Sequence, residues 1–432
     1  MANSPETLVT MEGIAKRKYG KLEHALPEYN TLAELIPFQD GEKTGEDYQI
    51  TVMLRRPQGH THAGGANAGT VYTLGDAING VYRPARVSSS EYILREQMAI
   101  GLASKAAAAG DAAFGAAFDE MMFGMQESAT FIREAEILYG QRSWGTIESQ
   151  SGSSTTRTFV ISALTWAPGL WCQAEGMGLD NTTAADLTTL LNTNAVILVT
   201  QVDADARTIH VSGNATDLDA AVATTVLLPR SALSGYWAGN SFAGLQKICL
   251  NTGTLFNIAA DTFGMWKCGG YPSVGGSLGA KLSFGEVMKA IARSVGRGLM
   301  GKATMVCSTF GFTDLNNDLA ALRRYAENNS GKIELGSTSI SYYGPNGGEL
   351  KIQSHPMIMA GEAYIGQFQH ALRSGSSDWT FRPVGQKGVD RFYRELEDKS
   401  GFEVKGWWDQ FLLLKQPAKF LRIGGIVNSS LS

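Results

Sequence analysis

The sequence predicts an α+β protein assembled from several units in series, and three observations carry that prediction. A long glycine-rich excursion, flanked by two strand-like stretches, occupies Asp47 to Arg86. A helical tract then runs from Ser88 to Gly140. From Arg157 to Leu228 the pattern turns to β, and the remainder mixes helix and strand.

Residues 1–46 combine charges with isolated apolar positions and contain Pro5, Pro27 and Pro37, which predicts an extended arm with one short helix at Met11 to Tyr19. In the excursion, residues 47–87, the outbound strand alternates. Tyr48, Ile50, Val52 and Leu54 share one face and Gln49, Thr51 and Arg55 the other, with Met53 as the exception. The tip, PQGHTHAGGANAGT, has no apolar run. A structureless connection of this length does not belong inside a compact domain. The excursion therefore reads as a two-stranded hairpin that leaves its own domain, has nothing of its own to pack on, and lies on another subunit. On that reading Tyr48, Ile50, Val52, Leu54, Arg55, Arg56, His60, His62, Tyr72, Tyr82, Arg83 and Arg86 contact a neighbour.

Ser88 followed by Glu91 has the spacing of a capping box and predicts a helix to about Ala109, broken by Gly110. A second helix, about 111–139, places Phe114, Phe118, Met121, Met125, Ala129 and Ile132 on one stripe, with Gly140 as its cap. At ~1.5 Å per residue it is about 40 Å long. Strands are expected at Phe159–Ile161, Ala195–Val202, Thr208–Val211 and Val222–Leu228, with a hairpin turn at Asp203–Ala206. Residues 157–235 thus read as a small inserted β-domain of barrel-like form. Beyond it, the loop Gly264–Gly285 leads into a helix with Phe284, Val287, Met288, Ile291, Val295 and Leu299 on its apolar face. A buried strand at Ala303–Ser308 and a helix at Thr313–Asn328 follow, then strands at Leu350–Gln353, Trp379–Arg382, Trp407–Leu414 and Phe420–Ile423.

A chain of 432 residues exceeds one ordinary core. Its 50 glycines, well above the usual ~7%, stand beside only 12 prolines and so serve turns and close approach rather than low complexity. A net charge of -4 argues against a protein whose own field grips nucleic acid. The basic cluster Lys16, Arg17, Lys18 and Lys21 reads as a solvated helix face. Cys172, Cys249, Cys268 and Cys307 form no CxxC pair, which speaks against a zinc site or a disulfide framework and suits a reducing compartment. Glu6 and Glu12 interrupt any leader pattern, and no window approaches ~18 consecutive apolar residues, so a soluble, cytoplasmically made protein without membrane contact is expected.

Each short motif with chemical meaning fails a structural requirement. Gly275-Gly-Ser277-Leu-Gly279 matches the nucleophile elbow, and Asp314 with His355 or His370 completes the hydrolase order, yet no strand leads into it and the following helix starts late. Gly296 to Lys302 approximates a phosphate loop, but Ala303 replaces the magnesium-binding hydroxyl and the order is helix then strand. Asp314, Asn316 and Asp318 open like a calcium loop, but Leu319 stands where Gly is needed and Tyr325 where Glu is needed. His60 and His62 have no acidic or histidine partner close by. No catalytic residues, metal ligands or cofactor are predicted.

Four stretches carry a resemblance: REAEILYG (Arg133–Gly140), FAGLQKICLNTGTL (Phe242–Leu255), SFGEVMKAIARSVGRGLMGKATMVCSTFGFTDL (Ser283–Leu315) and ELKIQSHPMIMAGEAYIGQF (Glu349–Phe368). In this order, after an arm and a hairpin, they resemble the major capsid protein of tailed double-stranded DNA bacteriophages, whose fold encapsulins and the herpesvirus capsid floor share. The resemblance implies an N-terminal arm (1–46), an extended loop (47–87) and a peripheral domain with its spine helix (88–156). It further implies an inserted β-domain (157–235), an axial domain (236–375) and a return to the peripheral domain (376–432). It implies a non-enzymatic shell subunit of the virion, assembled in the bacterial cytoplasm into hexamers and pentamers on a scaffolding protein. Portal and cement or decoration proteins would be further partners, and double-stranded DNA would be enclosed without sequence-specific binding. Some members weld subunits through an extended-loop Lys; this chain has none between Lys43 and Lys105, so that chemistry is not expected. The rivals are an encapsulin-like compartment and a serine hydrolase using Ser277.

Overall fold

The computed structural model describes residues 31–40, 47–62, 69, 71–99, 111–183, 187, 189–192, 195–231, 236–318, 339–381, 393–395 and 400–431. The helix predicted at Met11–Tyr19 and the part of the Thr313–Asn328 helix beyond 318 lie outside them, as do the side chains of Phe114 and Phe118.

A short helix, Thr31–Leu35, precedes β1 (Phe38–Asp40). β2 (Asp47–Arg55) and β3 (Val81–Ser88) form the antiparallel hairpin, paired from Asp47↔Ser88 to Arg55↔Val81. The predicted helix from Ser88 to Ala109 is not formed in its described part: β4 runs from Ser90 to Ala99 instead. Ser88 caps nothing; its hydroxyl donates to Asp47 at 2.7 Å across the foot of the hairpin. The segment SEYILREQMA reads equally well with period two, and ten register pairs with β20 (Gly401–Leu414) decide the matter. β20 is flanked on its other side by β18 (Ala371–Thr380), which carries β1, and by β19 (Tyr393–Glu395).

The long helix spans Asp111–Tyr139, as its apolar stripe predicts. Met121 and Met125 are buried with Val404 of β20, and Ile132 is half-buried against the main core. Gly140 ends the helix for a reason other than a left-handed cap. A Cβ there would lie 2.0 Å from the Phe242 carbonyl oxygen, so only glycine admits this approach, and the positive φ of 58° falls on Gln141.

β5 (Gly145–Ser153), β6 (Thr156–Ile161), β7 (Gly178–Thr182), β8 (Ile197–Asp203), β9 (Thr208–Ser212) and β10 (Val226–Pro229) close into a barrel in the order β10-β5-β6-β9-β8-β7. The barrel starts before residue 157, because β5, whose polar run SQSGS masks it in sequence, is one of its staves. The β8–β9 turn lies where expected, with Asp203 Oδ1 accepting from the Asp205 and Ala206 amides. Trp144 joins barrel to helix: its ring meets Phe131, Trp171 and Trp237 edge-on at 5.9, 6.2 and 5.6 Å.

After a tight hairpin, β11 (Thr254–Leu255) and β12 (Ile258–Ala259), a six-stranded mixed sheet forms the second body. Its strands are β13 (Gly269–Tyr271), β14 (Ala303–Cys307), β15 (Ser339–Tyr343), β16 (Glu349–Ser354), β17 (Glu362–Gly366) and β21 (Phe420–Gly424), ordered β13-β21-β17-β14-β16-β15. The helix Phe284–Val295 packs on it through Phe284, Val287 and Ile291, and its first amides are satisfied by Ser283 and Asp318. The next helix starts at Thr309 rather than Thr313, because Ser308 is the cap, accepting from the Gly311 amide.

Three carboxylates of the interior tie these units together. Glu134 accepts from the Leu32 and Ala33 amides at 3.2 and 2.8 Å, fixing the first helix to the long one, and lies 3.3 Å from His355 Nε2. Glu362 joins the ends of the long helix and the sheet, as considered below. Glu136 accepts from the Phe242 amide at 3.0 Å, and burial pushes its carboxyl up to about 8 against that hydrogen bond. The folded chain therefore keeps a proton that the unfolded chain releases near 4.5, and stability falls as pH rises from about 4.5 to about 8. Glu136→Gln keeps an acceptor for Phe242 and removes this titration. Relative to the parent it should gain on the order of 3 kcal/mol between pH 5 and pH 8, read from urea unfolding at both pH values. An unchanged difference between the two proteins across that range would contradict the assignment.

Candidate assembly surface

The hairpin has two faces with different fates. Along β2 the residues are alternately exposed and half-buried, and the inward set is Tyr48, Ile50, Val52 and Leu54, as the alternation predicts. Their partners belong to the same chain, which corrects the expectation that the hairpin has nothing of its own to pack on. Tyr48 meets Phe411 of β20 at 5.1 Å between ring centroids, and the row packs with Ala85, Val87, Phe256, Ile258, Trp266 and Leu372. The β11–β12 turn clasps the stem: Phe256 and Asn257 both adopt positive φ, 54° and 64°, and the Phe256 carbonyl accepts from the Arg86 amide at 3.0 Å. A phenylalanine in that conformation is uncommon, and its half-buried ring, packed against both this cluster and the main core, holds it there.

The outward set and the described residues of the tip are exposed. Arg56, His60, His62, Arg83 and Arg86 are exposed. Arg55 is exposed too, its guanidinium donating to the Asn79 carbonyl at 3.3 Å. The His60 and His62 rings meet edge-on, 5.3 Å apart, and among the described residues no group of three metal-binding side chains includes them. Tyr72 and Tyr82 are open to solvent, Tyr82 at 59%. Met53, the exception in the alternation, is exposed as well, and three further apolar side chains escaped the sequence reading: Val71, Ile78 and Leu74, the last 71% exposed. For Val71 and Leu74 the signal was present in VYTL, which follows Thr70 at the end of a stretch of Gly, Ala and Asn.

The described limbs beside the tip touch one another. The Gln58 amide donates to the Ile78 carbonyl and the Gly75 amide to Thr61 Oγ1 at 2.7 Å; a Cβ on Gly59 would lie 2.9 Å from Ala77 Cα, so the two limbs run in contact. The sequence thus builds a hairpin that is apolar on one side at its root and exposes apolar side chains toward its end.

The residues of the rival hydrolase do not converge. Ser277 is exposed and its hydroxyl donates to the Gly425 carbonyl; Asp314 is buried and accepts from the Ser429 amide. His355 faces Glu134, and His370 faces Lys419.

No family model and no curated protein matches the chain. Among solved structures, a chain of the cyanophage A-1(L) capsid asymmetric unit is similar over 94% of this chain and 95% of its own, with 11% identity and a TM-score of 0.51. A capsid chain of a native GTA particle is similar over 98% of this chain and 100% of its own, at 9% identity and a TM-score of 0.46. An encapsulin from Synechococcus elongatus aligns over 98% of this chain and 96% of its own, at 8% identity and a TM-score of 0.39. The first of these establishes the fold: over 94% of its length the chain shares the fold of that phage capsid chain.

Proposed function

We propose that the chain is the building block of an icosahedral virion shell, assembling through its projecting hairpin into hexamers and pentamers that enclose double-stranded DNA. The observation that carries this is a hairpin, clasped at its root by its own chain, whose far end exposes Val71, Tyr72, Leu74 and Ile78 with no apolar cover among the described residues. Such a surface gains most of its burial only on a neighbour. A net charge of -4 suits a container that must not hold its contents tightly. Assembly in the bacterial cytoplasm on a scaffolding protein, closure around a portal and coverage by cement proteins complete the reading. It rests on no catalytic step.

The test is assembly itself. Expressed alone or with a scaffold, the protein should sediment as closed particles of megadalton mass that electron microscopy resolves as shells. With no Lys in the hairpin, boiled particles should run as one band near 46.3 kDa. Monomers under every condition would overturn the reading, and a covalent ladder would overturn its non-covalent part.

A further inference from the structure

The cysteines are scattered along the sequence, yet the fold brings two of them together. Cys249 ends the helix Leu245–Cys249, which packs against β21. Cys268 immediately precedes β13, whose Gly269 and Gly270 stand opposite Leu421 and Arg422 of that same β21. Beside β21 the two side chains meet in the main core as free thiols, 2% and 0% exposed and hydrogen-bonded to one another. An arginine acts on each: Arg422 on Cys249, and Arg297, which also donates to the Cys268 carbonyl at 3.2 Å, on Cys268. The chain between the two cysteines is the clasp on the hairpin stem. It contains β11 and β12, the Phe256 carbonyl that accepts from the Arg86 amide, and the Ile258 and Trp266 side chains packed with the inner row.

We propose that Cys249 and Cys268 form a disulfide when the protein meets hydrogen peroxide outside a reducing compartment, closing the clasp into a covalent ring. The bond lies within one chain, so it goes beyond the shell reading and does not depend on it. One sulfur attacks a peroxide oxygen, the O–O bond breaks, and a sulfenic acid and one water result. The second sulfur then attacks the sulfenic sulfur. The S–S bond forms as the S–O bond breaks, and the departing hydroxide takes up the second thiol's proton to leave as water. Two thiols give up two electrons in all, and one peroxide accepts them. The hydrogen bond to Cys249 and burial push the Cys268 thiol well above the ordinary thiol range, against the pull of Arg297. Little thiolate is present at neutral pH, so closure is slow, and the pair stays reduced where glutathione keeps thiols reduced. Once closed, a ring of roughly 20 residues restricts the unfolded chain and stabilises the clasp.

The test reads the bond directly. A Cys172→Ser protein, which lacks the exposed thiol, is incubated with hydrogen peroxide, quenched with catalase, alkylated during denaturation and digested with trypsin without reductant. Mass spectrometry should find the peptides Ile248–Lys267 and Cys268–Lys281 joined, and dithiothreitol should separate them. The thermal midpoint of the oxidised protein should exceed that of the reduced one by on the order of 5 °C. Cys249→Ala or Cys268→Ala, each added to Cys172→Ser, should abolish both the joined peptides and the difference between oxidised and reduced samples. Recovery of the two peptides unlinked, alkylated or carrying sulfinic acid, would overturn the proposal. Joined peptides with no change in midpoint would overturn the hold of the ring on the clasp. Neither outcome bears on whether the protein builds shells, and a failure to build shells would leave this bond standing.

Discussion

Replacing Gln58–Asn79 with a short Gly/Ser linker should give a folded monomer that builds no shells. The stem keeps its full pairing, from Asp47↔Ser88 to Arg55↔Val81, and its inner row stays on Phe411, Ile258 and Trp266. What is lost inside the chain is small: the Gln58 to Ile78 and Gly75 to Thr61 hydrogen bonds within the tip itself, and the Arg55 contact to Asn79. Loop length enters closure entropy only logarithmically, about 0.6 kcal/mol per doubling, so shortening carries no penalty of consequence. On the proposed shell reading, what is lost between chains is large. Val71, Tyr72, Leu74 and Ile78 are exposed in the monomer, and covering a large apolar side chain stabilises by about 1.5–3 kcal/mol. Summed over four side chains and every copy in a shell, that exceeds what assembly can forgo. Circular dichroism and the thermal midpoint should stay near the parent's while the particle peak in sedimentation disappears. An unfolded variant would place the tip in the core, and normal particles would make it dispensable.

The order of units was legible because each announces itself by period. The long helix and the β8–β9 hairpin fall where the 3.6 and 2.0 repeats put them, since the Met121, Met125, Ala129 stripe and the Asp203 turn each encode one local structure. Three features were not legible, for one shared reason. β4 carries an S-x-x-E pattern and a Tyr-Ile-Leu run that suit helix or strand alike, and only β20, more than 300 positions away, selects the strand. β5 is polar along most of its length, so it is a strand by pairing rather than by pattern. The packing of Tyr48, Ile50, Val52 and Leu54 was visible as a face, but its partner comes from residues 256–266 and from Phe411 and Leu372, remote in sequence. Alternation tells which side is buried; it cannot tell against whom. The candidate surface was therefore half legible: the projecting arm was, whereas the division into a root held by its own chain and a tip free for others was not.

The joint between the two bodies should be the most sensitive point of the monomer, and Glu362→Ala should cost about 3–5 kcal/mol of stability, the usual consequence of stranding one member of a buried ion pair. Glu362 on β17 is buried, and Arg422 on neighbouring β21 donates to its Oε1 at 2.5 Å, as Gln246 does at 2.8 Å, while Tyr364 donates to the other oxygen. Arg142, just past the end of the long helix, reaches the same cluster through Gln246 at 3.0 Å, and the Tyr139 hydroxyl accepts from the Met359 amide at 2.8 Å. Burial alone would raise the Glu362 carboxyl; the Arg422 charge and the three donors outweigh it and hold the group below its ordinary range. A depressed carboxylate contributes stability above its unfolded value that disappears as pH falls through the folded one, so this contribution is present at neutral pH and lost on acidification. Removing the carboxylate leaves the Arg422 guanidinium buried without a counter-charge. Replacing both partners, Glu362→Leu with Arg422→Met, should recover most of the loss, short of complete because Tyr364 and Gln246 lose their acceptor. Urea unfolding at neutral pH should therefore rank parent, double variant and Glu362→Ala in falling order, and acidification should narrow the gap between the first and the last. A Glu362→Ala protein within about 1 kcal/mol of the parent would mean that the ion pair does not hold the joint.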